Sequence, residues 1–364
     1  MSGNSLPFWP IDHEQAAHLA RLTQRLAKED GPADVSGVWP EAIWKILVEE
    51  RATRWALPGR PGDRAQLLAN YASVAEGSLT AAFILTQHDA AIRRLTLASG
   101  PGKARAESWL DRIADGAIFP TVGISQLTTS RRHGPRAMAA TETPEGFRLD
   151  GAMPWVTAAE RADLFVTGGM LDDGRQLLAA VPRDAPGLTV QPAFDLAALG
   201  SSRTSEIACE SVFIGPEDVL AGPSLDVMAT PGLAGTGGLE TSALALGQAR
   251  AAIAALHELA EAGRDDLREP VSALSISWTR VVADLILAAE GSAEAPAPSL
   301  IRGQANDLAL RATQAFLTAK KGSGFLRSEP AQRWARQSLF FLVWSCPSPV
   351  ASAAIRDLAG LCEV

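Results

Sequence analysis

Residues that could form a catalytic or metal site by themselves follow no familiar pattern in this sequence. None of the five histidines lies in an H-E-x-x-H motif, and neither they nor the three cysteines show a metal-ligand spacing. There is no G-x-S-x-G nucleophile turn and no phosphate-binding P-loop. The sequence therefore predicts no metal site. It indicates either a bound organic cofactor or no catalysis.

The chain divides into three stretches of different hydrophobic periodicity. The secondary structure of these stretches must position any functional site. From about 10 to 118 the apolar residues recur at helical spacing, as in 65–97 and 106–116. From about 119 to 222 the chain is rich in short, turn-bounded β segments. Strands are predicted at 146–157, 163–171, 176–184 and 205–214.

Helical patterning returns after the Gly-rich connector at 230–238. Helices are predicted at 239–263, 270–291, 305–322 and 335–344. The fold class is accordingly α+β, with an N-terminal α-helical domain (1–118), a central antiparallel β-sandwich or barrel domain (119–222) and a C-terminal four-helix bundle (223–364).

The most informative segment lies within the predicted β-domain. It contains ISQ at 124–126 and LDGAMPWVT at 149–157. These motifs resemble the β-domain signature of the acyl-CoA dehydrogenase superfamily. That signature has a Thr-Glu-Pro-x-x-Gly-Ser-Asp run and then a strand ending in Asn-Gly-x-Lys-x-Trp-Ile-Thr-Asn. The spacing between the two motifs and the order of the domains match as well, so the resemblance covers nearly the whole chain.

The resemblance implies an FAD cofactor between the β-domain and the C-terminal helices. Trp155 and Thr157 match the residues that pack against the flavin ring and hydrogen-bond to it. Ile124 and Ser125 match the contacts to the pyrimidine edge of the flavin. The alternative is that Trp155 belongs to the β-domain core and Thr157 is an ordinary strand residue. An aromatic side chain offers a flavin ring a surface for stacking, and a hydroxyl group can donate a hydrogen bond to it.

Several positions depart from the family pattern. The Gly-Ser-Asp of the first run is replaced, which puts Arg131 where the family usually contacts substrate or cofactor. The Arg-x-Gln-Phe-Gly segment that reaches a neighbouring subunit's FAD has become GRDDLRE (263–269). Arg264 is the candidate there for a pyrophosphate contact, with a solvated helix end as the alternative.

The largest departure concerns the catalytic base. Dehydrogenation needs a carboxylate to remove the α-proton, and the Glu of the family's Tyr-Glu-Gly-Thr motif falls on Ser345, a candidate substrate contact. A minority of the superfamily carries the base at the start of the first C-terminal helix, where Glu240 is the candidate. An acidic residue in a first helical turn also complements the helix dipole without any catalysis.

Three functions follow as alternatives. The first is α,β-dehydrogenation of an acyl thioester by an FAD-dependent oxidoreductase, as in fatty acid metabolism, with electron-transfer flavoprotein or oxygen as acceptor. The second is a flavin-dependent monooxygenase or oxidase on the same scaffold. The third is a degraded, non-enzymatic homologue. The resemblance also implies a homodimer or homotetramer.

Composition excludes other classes of partner. With 33 basic and 41 acidic residues the net charge is −8, which argues against nucleic acid and anionic membranes. The N-terminus lacks the pattern of a signal peptide, and no uninterrupted apolar run of membrane-spanning length occurs. A soluble, cytoplasmic protein is expected.

Overall fold

Helices form the N-terminal part of the computed structural model, which describes residues 9–59, 63–128, 137–230 and 238–361. These helices are α1 (His13–Ser36), α2 (Glu41–Glu49), α3 (Arg64–Gly77), α4 (Leu79–Thr96) and α5 (Lys103–Ala114). Ser78 divides the helical pattern at 65–97 into two helices, because its hydroxyl accepts a hydrogen bond from the Ala81 backbone amide at 3.1 Å and so caps α4.

An eight-stranded sheet follows. Its strands are β1 (Pro120–Gly123), β2 (Met138–Thr143), β3 (Gly146–Val156), β4 (Leu164–Met170), β5 (Gln176–Pro182), β6 (Leu188–Val190), β7 (Ser205–Ile214) and β8 (Val219–Ser224). The four strands predicted from the sequence correspond to β3, β4, β5 and β7. The short strands β1, β2, β6 and β8 were not predicted, because runs this short carry little periodicity.

The sheet has two halves that face each other. The order is β6-β7-β3-β2-β4-β5-β8, with β1 beside β4, and β2 meets β4 only at Ala139 and Met170. Most pairings are antiparallel, but β1–β4 and β2–β4 are parallel, so the sheet is mixed and not purely antiparallel as predicted. Phe165 of β4 points into the core between the halves, whereas Leu164 and Val166 point toward α4 and α5.

Helices also form the C-terminal part. They are α6 (Leu239–Glu261), α7 (Arg268–Ala289), α8 (Pro298–Lys320), α9 (Pro330–Ser338), α10 (Phe340–Val343) and α11 (Ser348–Leu358). The single helix predicted at 335–344 is wrong in its bounds. The chain forms α9 and the one-turn α10 instead. Trp344 is extended and Ser345 has a φ of +43°, so the helix cannot continue toward Pro347.

The N-terminal and C-terminal helices share one hydrophobic core. Leu22, Tyr71, Leu246, Trp278 and Ile301 are buried in the same cluster, although they come from five different helices. α3 and α6 approach closely at Gly247, where a Cβ atom would lie 2.1 Å from the Ala72 carbonyl oxygen. The domain boundaries near 119 and 222 stay predictions, since this core joins the helices of both terminal stretches.

Among the described residues, one helix is long and apolar enough to cross a membrane by length and composition alone. It comprises α7 and the turn before it (Asp265–Ala289), and a third of its most apolar stretch is buried. Trp278, Val281 and Leu285 of α7 are buried in the shared core. The inner face of this helix thus belongs to the helical bundle.

Candidate functional site

A cavity of about 500 Å³ lies where the sheet meets α4 and the segment after α9. We call it the Trp155 cavity. Its sheet side is formed by Val122, Ile124, Ser125, Trp155 and Thr204, and its helical side by Phe83, Gln87, Phe340, Val343, Trp344 and Ser345. Four residues predicted from the sequence, Ile124, Ser125, Trp155 and Ser345, therefore line one cavity.

Trp155 presents an aromatic face to this cavity. It lies one residue before the end of β3, and 45% of its surface is exposed. Its ring packs against Phe194 with a centroid separation of 4.8 Å and an interplanar angle of 52°. An exposed tryptophan beside a cavity is a stacking surface for a planar ligand.

Thr157 lies behind the cavity wall. It is 1% exposed, and its backbone carbonyl accepts a hydrogen bond from Thr121 Oγ1 at 2.9 Å. Thr204 Oγ1, whose residue does line the cavity, donates to Thr157 Oγ1 over 3.4 Å. The Thr157 hydroxyl thus reaches the cavity only through Thr204, one layer deeper than the sequence suggested.

Two polar side chains of this cavity have no hydrogen-bond partner among the described residues. Ser125 Oγ is buried and unpaired. Gln87 is only 7% exposed, lies in the middle of α4, and its side-chain amide makes no hydrogen bond within the described chain. Buried polar groups normally find partners, so both groups are placed to meet a ligand. Sequence reasoning missed Gln87, although the polar triplet QHD (87–89) interrupts an otherwise apolar helix.

The wall opposite the sheet is aromatic. Phe83 contacts Phe340 and Trp344 at ring-centroid distances of 4.9 Å and 4.6 Å, and the rings of Phe340 and Trp344 stack at 5.5 Å. Arg302, one of the largest fully buried side chains, donates from Nη2 to the Trp344 carbonyl at 3.1 Å and so holds this segment in place. Burial lowers the pKa of Arg302 to about 10, so it remains charged at neutral pH.

The described lining of the Trp155 cavity contains no Asp, Glu, His or Lys. Its one charged residue, Arg336, donates to Asp34 Oδ2 at 2.6 Å and to the Ala197 carbonyl at 2.8 Å. Ser345 and Cys346 occupy the position where the family resemblance places the carboxylate base. Burial raises the pKa of the Cys346 thiol, so at neutral pH it is protonated and cannot accept a proton.

A second cavity, the Arg336 cavity, adjoins the first and has a volume of about 920 Å³. The two linings share five residues: Leu196, Ala197, Ala198, Arg336 and Leu339. Arg327 also lines the Arg336 cavity and has no ion pair among the described residues. A ligand longer than one ring system has room to extend from the Trp155 cavity into this space.

Glu240 does not lie in either cavity. It lines a third one of about 700 Å³, here called the arginine cavity, together with Arg51, Arg54, Arg64 and Arg93. Glu240 Oε1 lies 3.5 Å from Arg64 Nη2 and 3.8 Å from Arg93 Nη2. Burial on its own would raise the pKa of Glu240, but Arg93 and Arg64 outweigh it, so the pKa is lowered. This placement argues against the predicted role of Glu240 as the base beside Trp155.

The other two predicted site residues are not brought to the Trp155 cavity. Arg264 pairs with Asp266 at 2.7 Å and donates to the Ala319 carbonyl at 3.2 Å, and it lines none of the three cavities. Arg131 lies outside the described residues. No group of three or more potential metal-ligating His, Cys, Asp or Glu side chains occurs within the described ranges.

Comparison with curated sequences gives one partial match, and no family model matches the chain. The protein described as "Probable acyl-CoA dehydrogenase YngJ" of Bacillus subtilis (strain 168) is 27% identical over 171 residues. The match covers 46% of this chain and 45% of that protein, so it spans about half the length of the curated relative.

Solved structures match over almost the entire chain. Butyryl-CoA dehydrogenase from Megasphaera elsdenii superposes with a TM-score of 0.79 at 17% identity, over 96% of this chain and 100% of that chain. A glutaryl-coenzyme A dehydrogenase in complex with glutaryl-CoA gives 0.81 at 14% identity, with 98% of each chain covered. Dibenzothiophene monooxygenase from Paenibacillus sp. A11-2 gives 0.76 at 14% identity, with 96% of each covered. At such identities the likeness shows the fold alone.

Proposed function

Since the chain belongs to the acyl-CoA dehydrogenase superfamily, on whose fold both dehydrogenases and a monooxygenase are built, we propose that it is a flavin-dependent oxidoreductase with its active site in the Trp155 cavity. A related structure, a glutaryl-CoA dehydrogenase from Mycobacterium smegmatis, is described in complex with FADH2. FAD is the proposed cofactor.

The residues of the Trp155 cavity suit a flavin ring. Trp155 offers the stacking face, and the buried hydroxyl oxygen of Ser125 has no hydrogen-bond partner among the described residues. The cavity volume of about 500 Å³ lies within the range of roughly 300–1,000 Å³ found for small-molecule pockets. The adjoining Arg336 cavity, where Arg327 forms no ion pair with a described residue, would take the adenosine diphosphate portion. When bound, FAD would supply two-electron redox chemistry or oxygen activation.

Within this flavoprotein class, we propose an oxygen-using reaction, as a monooxygenase or oxidase on an apolar substrate. The observation that carries this choice is the absence of a proton acceptor among the described residues of the Trp155 cavity. Dehydrogenation of a thioester needs a positioned base, and Glu240 is paired with two arginines in another cavity. The aromatic wall of Phe83, Phe340 and Trp344 suits an apolar, planar substrate.

The deciding experiment compares two reactions of the purified protein. Its absorption spectrum first establishes whether flavin is bound, which also tests the non-enzymatic alternative. The protein is then mixed anaerobically with a series of acyl-CoA thioesters, and separately the chemically reduced protein is mixed with oxygen. We expect no bleaching by the thioesters and reoxidation by oxygen within seconds. Bleaching of the flavin by any thioester would contradict the oxygenase proposal.

A second candidate function is acyl-CoA dehydrogenation, with electron-transfer flavoprotein as the acceptor. The curated relative described as an acyl-CoA dehydrogenase favours it. The variant Ser345→Glu tests the geometry behind it, because it places a carboxylate in the wall of the Trp155 cavity. If Ser345 faces the reacting carbon, Ser345→Glu gains thioester-dependent bleaching, and Ser345→Gln serves as the uncharged control. A positioned base is worth about 10²–10⁴ in rate.

We further propose that the protein is soluble and forms a homodimer or homotetramer. The family resemblance predicts the helices at 239–263 and 305–322 as the interface, but the first of these, α6, is mostly buried within the single chain. Exposed apolar side chains lie instead at the two adjoining cavities, with Phe325 of the Arg336 cavity at 78% and Val343 of the Trp155 cavity at 77% exposure. A light-scattering mass of one 38.3 kDa chain would overturn this assembly.

A further inference from the structure

The arginine cavity carries an excess of positive charge in its described lining. We propose that it binds a small multivalent anion, such as a metabolite that bears phosphate or carboxylate groups. It shares no lining residue with the Trp155 cavity, so the proposal is independent of the flavin chemistry. The charged residues in its described lining are four cations and two anions: Arg51, Arg54, Arg64, Arg93, Asp63 and Glu240.

Two of these four arginines are not paired with any described acidic residue. Arg51 and Arg54 form no ion pair with any described residue. Asp63 is occupied as the cap of α3, where its carboxylate accepts from the Gln66 backbone amide at 2.8 Å. The protein as a whole carries a net charge of −8, so a concave surface with this local excess of arginine attracts anions against the general field of the molecule.

An independent sign of a ligand is the side chain of Asn70, which lines the same cavity and is 8% exposed. Its Oδ1 accepts two hydrogen bonds, from Gln15 Nε2 at 3.0 Å and from Gln66 Nε2 at 3.1 Å. These bonds fix the amide with its oxygen turned to the two glutamines. Its nitrogen donates to no described group, so the hydrogen-bonding capacity that this mostly buried side chain retains is a donor, which suits the oxygen atoms of an anion.

Arg93 is held at the edge of the cavity by a buried network. Its Nη1 donates to the Tyr71 hydroxyl at 3.4 Å, and that hydroxyl donates in turn to Asp89 Oδ2 at 2.7 Å. Asp89 also contacts His88 Nδ1 at 2.9 Å. The guanidinium is therefore placed in advance, which reduces the entropy lost when it binds an anion.

Glu240 acts as an internal counter-ion in this arrangement. Its distances of 3.5 Å to Arg64 and 3.8 Å to Arg93 are those of loose ion pairs. A ligand with more than one negative group would form closer, bidentate contacts with these guanidinium groups than Glu240 does. Removing the charge of Glu240 should consequently strengthen anion binding.

Isothermal titration calorimetry on the purified protein, with whatever flavin it carries, tests the proposal. Pyrophosphate and citrate are titrated separately at constant ionic strength, and chloride serves as the monovalent control. We expect saturable binding of one ligand per chain for at least one probe. Binding of pyrophosphate alone indicates a phosphorylated ligand, and binding of citrate alone indicates a polycarboxylate.

Matched variants assign the binding to this cavity. Arg51→Gln combined with Arg54→Gln should weaken binding at least about tenfold. The charge-matched control, Arg280→Gln with Arg311→Gln, removes two arginines outside the cavity and should leave the affinity unchanged. Glu240→Gln should tighten binding severalfold. The single variants Arg51→Gln and Arg54→Gln serve if the double variant fails to fold. No saturable binding of either probe, or equal weakening in the control, would overturn the proposal.

Discussion

Arg333 Nε donates to Asp30 Oδ2 at 2.7 Å, across a separation of 303 residues in the chain. Asp30 is 1% exposed and Arg333 is 6% exposed, and Ser78 Oγ donates to the other carboxylate oxygen at 2.6 Å. The pair thus connects α1 and α9 at the point where the N-terminal and C-terminal helices meet. Burial raises the pKa of Asp30 above its ordinary value, against the opposing effects of Arg333 and Ser78.

Arg333→Met should destabilise the fold by about 3–5 kcal/mol, because it leaves a buried carboxylate without its cation. The double variant with Asp30→Leu should recover much of this loss, since no unpaired charge remains. Urea unfolding of the wild type, the two single variants and the double variant gives the coupling free energy. In Arg333→Met the loss should be smaller at low pH, where the carboxyl is protonated. Additive effects of the two substitutions would contradict this account.

Two buried glutamines near the Trp155 cavity provide a test of ligand recognition. Gln126 is 4% exposed, and its Nε2 donates to the Gly123 carbonyl at 2.8 Å, to Thr167 Oγ1 at 2.9 Å and to the Gly168 carbonyl at 3.0 Å. Gln87 is 7% exposed and has no described partner. We expect Gln126→Leu to lose about 1–3 kcal/mol of stability, whereas Gln87→Leu should lose none.

For Gln87→Leu we expect a loss of function without a loss of stability. If the Gln87 amide binds a polar group of the substrate, Gln87→Leu should raise KM about tenfold or more at unchanged flavin content. Thermal unfolding and steady-state kinetics on both variants make the comparison. A stability loss in Gln87→Leu equal to that of Gln126→Leu would show that Gln87 has a structural role instead.

Trp155 and Phe213 form a matched pair for testing the flavin site. Their exposures are 45% and 46%, but Phe213 faces outward beside Arg148, with the guanidinium carbon 5.7 Å from its ring centroid. Trp155→Ala should weaken flavin retention by about 1–3 kcal/mol, since it removes the stacking face. Phe213→Ala should leave retention unchanged. Flavin released on dialysis, measured by fluorescence, distinguishes the two. Equal retention in both variants would remove Trp155 from the flavin site.

Hydrophobic periodicity predicted most of the helices and four of the eight strands, because it is a local property of the chain. The family resemblance, and not periodicity, pointed to Ile124, Ser125, Trp155 and Ser345, which line the Trp155 cavity. The sequence could not predict which cavity Glu240 faces. Each residue of an α-helix turns the side chain by about 100°, so a motif that only approximately locates a helix start leaves the direction of its side chains open. Nor could it place Arg64 and Arg93 beside Glu240, since these contacts depend on how α3, α4 and α6 pack.

The pairing of Glu240 with Arg93 and Arg64 predicts a specific dependence of stability on pH. Although burial opposes ionisation, the two arginines lower the pKa of Glu240 below its ordinary value of 4.5. A carboxylate whose pKa is lower in the folded state stabilises the fold fully above its unfolded pKa, and this contribution is lost as the pH falls through the folded pKa. The wild type should therefore be more stable than Glu240→Gln at pH 7, by up to about 1 kcal/mol. That difference should shrink as the pH is lowered below 4.5.

Urea unfolding across this pH range measures the difference in stability between the wild type and Glu240→Gln. Glu294→Gln is the control, because Glu294 is exposed and forms no ion pair with a described residue. A difference that stays constant with pH would mean that Glu240 does not owe its stabilising effect to its charge.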